Sequence, residues 1–136
     1  MRAITVTLLC LLAINVSAQE YKPYPRAKIT QEQWQQYFSE VSKKHAASRR
    51  EFPSENLVVF EDRVEFTTYA FTQEGHPAHP AWVTRHVVED KGGVSVRQIG
   101  YFAGNEQPFA KLFKSYQQLQ SQMREDFERR SNEVQK

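Results

Sequence analysis

Cysteine content is the feature that most limits how this chain can stabilise a fold. Its only cysteine, Cys10, lies in an almost wholly apolar stretch at residues 3–16, directly after a short basic start. Small residues at positions 16–18 complete the pattern of a secretory signal peptide, which predicts cleavage after Ala18. We therefore expect a mature chain, from Gln19 onward, that forms no disulfide and is held together by its hydrophobic core alone.

The size and charge of the chain exclude several classes of protein. A length of 136 residues is typical of one domain. A net charge of +2 is too small to indicate the dense basic patch with which proteins bind nucleic acids. The apolar stretch is shorter than the roughly 20 residues that span a bilayer, so no transmembrane segment is expected after signal removal. The signal peptide predicts a secreted protein, periplasmic if bacterial. Because the chain after Ala18 has neither a cysteine nor an Asn-x-Ser/Thr sequon, a bacterial periplasm is favoured over a eukaryotic secretory route.

Prolines and a helix-capping pattern mark the start of the folded domain. Residues 19–29 contain two prolines, which exclude a helix and predict an extended leader. This leader is either a tether or an arm that binds a partner. Thr30 and Gln33 then form a capping box, so the sequence predicts a single domain at residues 30–136 that begins with a helix.

A long C-terminal helix is predicted to run from Asn105 towards Glu133. Its apolar residues recur at helical spacing and form one stripe: Phe109, Leu112, Phe113, Tyr116, Leu119, Met123 and Phe127. The simplest interpretation is that this stripe packs on a sheet. The distal part is long enough to pair with a second copy, so a homodimer formed through this helix is an alternative expectation.

Four segments between the two helices have the period-two alternation of β-strands. They lie at residues 57–60, 63–72, 81–89 and 94–102. Short connections favour an antiparallel meander with both helices packed on one face, which is an α+β fold of order α-β-β-β-β-α. The other face of this four-stranded sheet is then open, unless the leader covers it.

The turn between the last two strands determines which residues lie opposite each other. A three-residue turn at residues 90–92, ending in a left-handed glycine, keeps apolar side chains together on one face. This register pairs Trp82 with Gly100 and places Arg85 directly opposite Arg97. A two-residue loop would mix apolar and polar side chains on both faces, so it is not expected.

The predicted arginine pair is the leading candidate for a binding site. Like charges directly opposite each other destabilise a sheet unless something compensates them. Glu65 on the neighbouring strand is the simpler compensator, and an anionic ligand or an acidic protein surface is the functional alternative. Tyr69 and Tyr101 add aromatic contact area to the same face. We therefore expect Arg85, Arg97, Tyr69, Tyr101 and Glu65 to bind a protein partner or a small anionic ligand.

A loop rich in histidine and proline is the second candidate. His76 and His79 are each followed by a proline, and Glu74 could add a carboxylate. Imidazole and carboxylate ligands suit zinc or copper, although a third protein ligand is not evident. The alternative interpretation is a stiff, solvated connection between two strands.

The remaining residues point away from catalysis. A mature chain without cysteine excludes thiol chemistry, and the five glycines form no phosphate-binding pattern. His45 and His86 each fall on an apolar stripe, where core packing is the expected role. The leading hypothesis is a non-enzymatic binding protein without a cofactor that uses the sheet face and the His-Pro loop. The alternatives are a metal-binding protein or metalloenzyme and a self-assembling structural protein.

Overall fold

The computed structural model describes residues 26–135, so the predicted signal peptide, most of the leader and Lys136 lie outside the described residues. Two helices and five strands follow in the order α1 (Gln31–Lys44), β1 (Arg50–Phe52), β2 (Leu57–Asp62), β3 (Thr67–Thr72), β4 (Ala81–Asp90), β5 (Gly93–Phe102) and α2 (Glu106–Val134). The strands form one antiparallel sheet in chain order, from β1 to β5. This arrangement confirms the α+β class and corrects the number of strands from four to five.

Helix α1 begins where the capping pattern predicts. The Gln33 N–H donates to Thr30 Oγ1 at 3.1 Å, and the Thr30 N–H donates to Gln33 Oε1 at 2.9 Å. Two backbone donors at the exposed helix start are therefore satisfied. Trp34 and Val41 are the buried residues of α1 and face the sheet.

Strand β1 is the element that sequence patterning missed. Its three residues are all exposed, so they carry no alternation of buried and exposed positions. It pairs with β2, with Arg50 opposite Val59 and Phe52 opposite Leu57. A 3₁₀ turn and the left-handed Asn56 (φ 52°) reverse the chain between the two strands. A strand this short depends on its neighbour for stability, which local sequence does not show.

Strand β3 begins four residues later than predicted. The Asp62 carboxylate accepts hydrogen bonds from the N–H groups of Val64 and Glu65, each at 3.0 Å, and so turns the chain. Residues 63–66 therefore belong to the turn and not to the predicted strand, and Val59 of β2 lies opposite Ala70 of β3. An aspartate side chain that accepts hydrogen bonds from the backbone just after it is a common cause of a turn.

The β4–β5 hairpin closes with a two-residue loop, whereas the sequence predicted a three-residue turn. Asp90 pairs with Gly93 across a two-residue loop, and the left-handed conformation falls on Gly93 (φ 110°). The predicted register is therefore wrong by one residue. Trp82 lies opposite Tyr101, and Gly100 lies opposite Val83. A shift of one residue moves every side chain of β5 to the other face of the sheet.

The two helices cover opposite faces of the sheet, so the prediction of both helices on one face is wrong. Helix α1 packs on a face that we call the α1 face, whose buried members are Val58, Phe60, Phe71, Trp82 and Tyr101. Helix α2 packs on the α2 face, whose buried members include Ala81, Val83 and Phe102. The central strands are thus buried on both sides. A helix on each face also corrects the expectation of an open second face.

Helix α2 is longer than the sheet that supports it. Phe109 and Leu112 are buried against the α2 face. From Ser121 to Gln135, every side chain that the structure describes is exposed. Among residues 26–135, no helix is long and apolar enough to cross a membrane.

Candidate interaction site

The two arginines of the predicted binding face lie on opposite faces of the sheet. Arg85 is on the α2 face, where its guanidinium carbon stands 4.9 Å from the ring centre of Tyr116 and its strand partner is Gln98. Arg97 is exposed on the α1 face and pairs with His86. The expectation that Arg85 lies opposite Arg97 is therefore wrong, because the hairpin register differs by one residue.

The other three predicted residues also fail to form a common surface. Tyr101 is only 2% exposed and packs in the core, 4.9 Å from Trp82 between ring centres. Tyr69 is half-buried and stacks on His45 at 5.5 Å, and burial raises its pKa. Glu65 is exposed in the turn between β2 and β3. The structure therefore provides no shared face on which these residues can act together with both arginines.

The His-Pro loop is internally hydrogen-bonded. His76 Nδ1 accepts the Ala78 N–H at 3.0 Å, and His79 Nδ1 lies 2.9 Å from Thr72 Oγ1. The His79 ring meets the edge of Trp34 at 5.0 Å. Burial lowers the pKa of both histidines. Electrostatic repulsion from His79 lowers the pKa of His76 further.

Metal binding by this loop stays a prediction. The Nδ1 atoms of His76 and His79 are both engaged, which leaves Nε2 as the ligand atom on each ring. Among residues 26–135, no three or more His, Cys, Asp or Glu side chains are grouped so that they could hold a metal ion. Glu74, His76 and His79 together do not form such a group.

One polar row crosses the α1 face, and the sequence analysis did not find it. Asp62, Thr67, His86 and Arg97 are successive register partners on β2, β3, β4 and β5. Thr67 Oγ1 donates to the Glu65 carbonyl at 3.0 Å and lies 2.7 Å from His86 Nδ1, within hydrogen-bond distance. The row depends on strand register, which is why spacing along the sequence does not show it.

The outer edge of β5 presents backbone groups that have no strand partner among residues 26–135. The Phe102 N–H donates to Ala27 O, and the Ile29 N–H donates to Phe102 O, both at 2.9 Å. Backbone groups alternate in direction along a strand, so the N–H and C=O groups of Val94, Val96, Gln98 and Gly100 point the same way as those of Phe102. Within residues 26–135, these four residues have no strand beyond them.

The two edges of the sheet differ in how well they are protected against pairing with another strand. Strand β1 is three residues long and includes Arg50, which is ion-paired with Glu61, and Glu51, which is ion-paired with Arg49 at 2.9 Å. Strand β5 is ten residues long, and Arg97 is its one charged residue. Short, charged edges resist pairing with another chain, whereas long, uncharged edges invite it. The β5 edge is therefore the side of the sheet that is open to a further strand.

Exposed apolar side chains lie on β4 and β5 beside this edge and on the later turns of α2. Beyond the last β3 pair, β4 and β5 continue as a two-stranded ribbon that carries Val87, Val94 and Val96. Helix α2 carries two more exposed apolar residues, Leu119 and Met123, in the turns that follow Tyr116. We call these five residues the ribbon patch. Val94 is 71% exposed and Met123 is 61% exposed, so the patch is apolar surface left in water.

The chain was compared with protein-family models, curated proteins and solved structures, and nothing matched in any of the three.

Proposed function

We propose that this protein is a non-enzymatic binding protein that takes up an extended polypeptide segment as a sixth strand along β5. The observation that carries the proposal is the outward row of backbone donors and acceptors at Val94, Val96, Gln98 and Gly100. An added strand satisfies these groups through main-chain hydrogen bonds, as in other cases of β-strand addition. With its predicted signal peptide, the protein would act in an extracytoplasmic compartment.

The side chains beside the edge define the chemistry of the segment. On the α2 face, Val94 and Val96 favour apolar neighbours on the added strand. On the α1 face, Ser95 and Arg97 are exposed and favour polar or acidic neighbours. Because successive side chains of a strand point to opposite faces, the segment that fits alternates apolar residues with polar or acidic ones.

The leader of the same chain is a poor occupant for this edge. Its last residues pair with β5 in the parallel direction, through Ala27 and Ile29. In a continued ladder, the same alternation would require Pro25 and Pro23 to donate N–H groups to β5. Proline has no N–H, so the ladder is not expected to continue and the edge is left for another segment.

A synthetic peptide tests the proposal directly. The probe is a ten-residue peptide of alternating valine and threonine with one central glutamate, labelled for fluorescence anisotropy. Its control has the same sequence with alternate backbone nitrogens methylated, which removes the donors on one edge. We expect the probe to bind saturably and the methylated peptide to bind at least about tenfold more weakly, which corresponds to about 1.4 kcal/mol.

A pair of protein variants locates the binding to β5. Val96→Pro removes an outward N–H that the sheet itself does not use, and an edge position of this kind tolerates proline. Val96→Ala retains the N–H and removes the apolar side chain, so it is the matched control. Loss of binding in Val96→Pro with weaker but measurable binding in Val96→Ala supports strand addition. Equal binding by both variants and the unaltered protein contradicts it.

A further inference from the structure

We infer that the segment that occupies the β5 edge is β5 of a second copy of this chain, so that two antiparallel edges join the two five-stranded sheets into one. This inference rests on the proposed strand addition and names its partner. It follows from four features: the position of α2, the spacing of the helices, the charges along β5 and the protection of β1.

The ribbon patch is larger than an isolated strand can cover. A peptide strand on β5 lies beside Val94 and Val96 in the plane of the sheet, whereas Leu119 and Met123 belong to the helix layer above that plane. A second copy brings its own α2 to the same face of the sheet. Only an occupant that carries a helix as well as a strand therefore removes the whole apolar surface from water, and burial of that surface is the main source of stability in association.

The spacing between the two helices suits packing. Helix α2 lies over β4 and β5, since Tyr116 contacts Arg85 of β4 and the Phe113 carbonyl accepts the side-chain amide of Gln98 of β5 at 2.7 Å. The two α2 axes of a β5–β5 dimer would be separated by two strand spacings, or about 10 Å. Packed helices have axes about 8–10 Å apart. The dimer therefore brings the helices into direct contact without a gap or a clash.

The helix and the strand also agree on where the two-fold axis lies. Helix α2 runs towards the hairpin loop, from Phe109 beside Phe102 to Gln120, whose side chain donates to Gln98 Oε1 at 2.7 Å. Val96 lies two residues closer to the hairpin loop than Gln98. This distance is about 7 Å along the strand, which equals roughly four to five residues of helix. Counted from Tyr116, which contacts Arg85 opposite Gln98, an axis through Val96 meets α2 near residues 120–121, and counted from Gln120 it meets α2 near residues 124–125. The axis therefore crosses α2 in a short segment that contains Met123.

The charges along β5 favour the same register. An axis through Val96 places Ser95 opposite Arg97 of the second copy, so the two arginines are not directly opposite each other. The assembly also closes at two copies, because both chains use the β5 edge and the remaining outer edge is the short, charged β1.

Oligomeric state is measured by sedimentation velocity on the purified chain of residues 19–136 over a wide concentration range. We expect a dimer whose dissociation is concentration-dependent. Val94→Lys places a charge on the edge and is expected to weaken the dimer at least about tenfold, or about 1.4 kcal/mol. The matched control is Val64→Lys, at a valine that is 83% exposed in the turn between β2 and β3. This variant is expected to dimerise like the unaltered chain.

Engineered cysteines test the position of the axis. Residues 19–136 contain no cysteine, so Met123→Cys adds the only thiol. We expect this variant to form an intermolecular disulfide rapidly under mild oxidation, and the Val64→Cys control to form it slowly. Equal rates of cross-linking for the two variants would overturn the arrangement of helices.

The outcomes separate this inference from the proposed function. A chain that stays monomeric at millimolar concentration, yet binds the valine–threonine probe through Val96, overturns the second copy and retains strand addition. A dimer that Val96→Pro and Val94→Lys leave intact overturns the second copy at β5, and it overturns strand addition as well if Val96→Pro also binds the valine–threonine probe like the unaltered chain. A dimer that both variants weaken and that Met123→Cys cross-links supports both.

Discussion

Gly100 lies against the ring of Phe109, so closely that a Cβ atom on the glycine would stand 2.7 Å from Phe109 Cζ. The same atom would stand 2.8 Å from Phe113 Cδ2. The absence of a side chain at this position therefore lets α2 sit close to β5. This contact also explains why α2 is held over the sheet edge, where the ribbon patch begins.

Gly100→Ala is expected to destabilise the protein by about 1–3 kcal/mol, because the added methyl group overpacks two aromatic rings of a helix that the sheet holds in place. Equilibrium denaturation with urea measures the change. Ser95→Ala is the control, since Ser95 is exposed on the same strand. A free energy of unfolding that is the same for Gly100→Ala and the unaltered protein would show that α2 moves without cost.

Thr72→Val is expected to destabilise the protein by about 1–3 kcal/mol, because it leaves a buried donor without its acceptor. The buried Thr72 hydroxyl donates to Ala81 O at 3.1 Å and accepts the Ala81 N–H at 2.9 Å. Valine has nearly the same shape and replaces neither bond. The matched control is Thr68→Val, half-buried on the same strand, and its free energy of unfolding should change by no more than about 0.5 kcal/mol. Similar losses in both variants would contradict the role of the hydroxyl.

The stability of the protein is expected to fall as the pH decreases from 7 towards 5. Burial lowers the pKa of His76 and His79 below the ordinary value of 6.5, so the unfolded chain binds protons on them more readily than the folded chain does. Their contribution is complete above the unfolded pKa and is lost as the pH falls through the folded pKa.

Thermal denaturation at a series of pH values measures this effect. The double variant His76→Asn, His79→Asn is expected to have a shallower dependence between pH 7 and pH 5, because two of the titrating groups are removed. Between pH 8 and pH 7 the variant and the unaltered protein are expected to change in parallel. A dependence between pH 7 and pH 5 that is as steep in the variant would assign the effect to other groups.

Local signals in the sequence predicted the elements that depend on local physics. The capping box at Thr30 marks the start of α1, and the apolar stripe from Phe109 to Tyr116 identifies the packed part of α2. Alternation located the four longer strands to within a few residues, apart from the late start of β3 at Thr67. It missed β1, because a three-residue strand that is exposed throughout has no pattern to detect.

The predicted binding site failed because it depended on register. An error of one residue at the Asp90–Gly93 closure moved Arg97 and Tyr101 to the face opposite Arg85. It also concealed the polar row and the outward direction of the backbone groups at Val96. No composition or spacing along the chain distinguishes a two-residue loop from a three-residue loop when both contain glycine.

The sequence by itself determined the class of fold, the two helices and the need for a core without disulfides. These follow from capping, periodicity and composition, which act over a few residues at a time. The tertiary structure alone decided which face each strand presents, that α1 and α2 lie on opposite sides, and that β5 is an edge. Those features depend on pairing between distant segments, where a shift of one residue reverses every side chain of a strand and is resolved only when both faces of the sheet are packed.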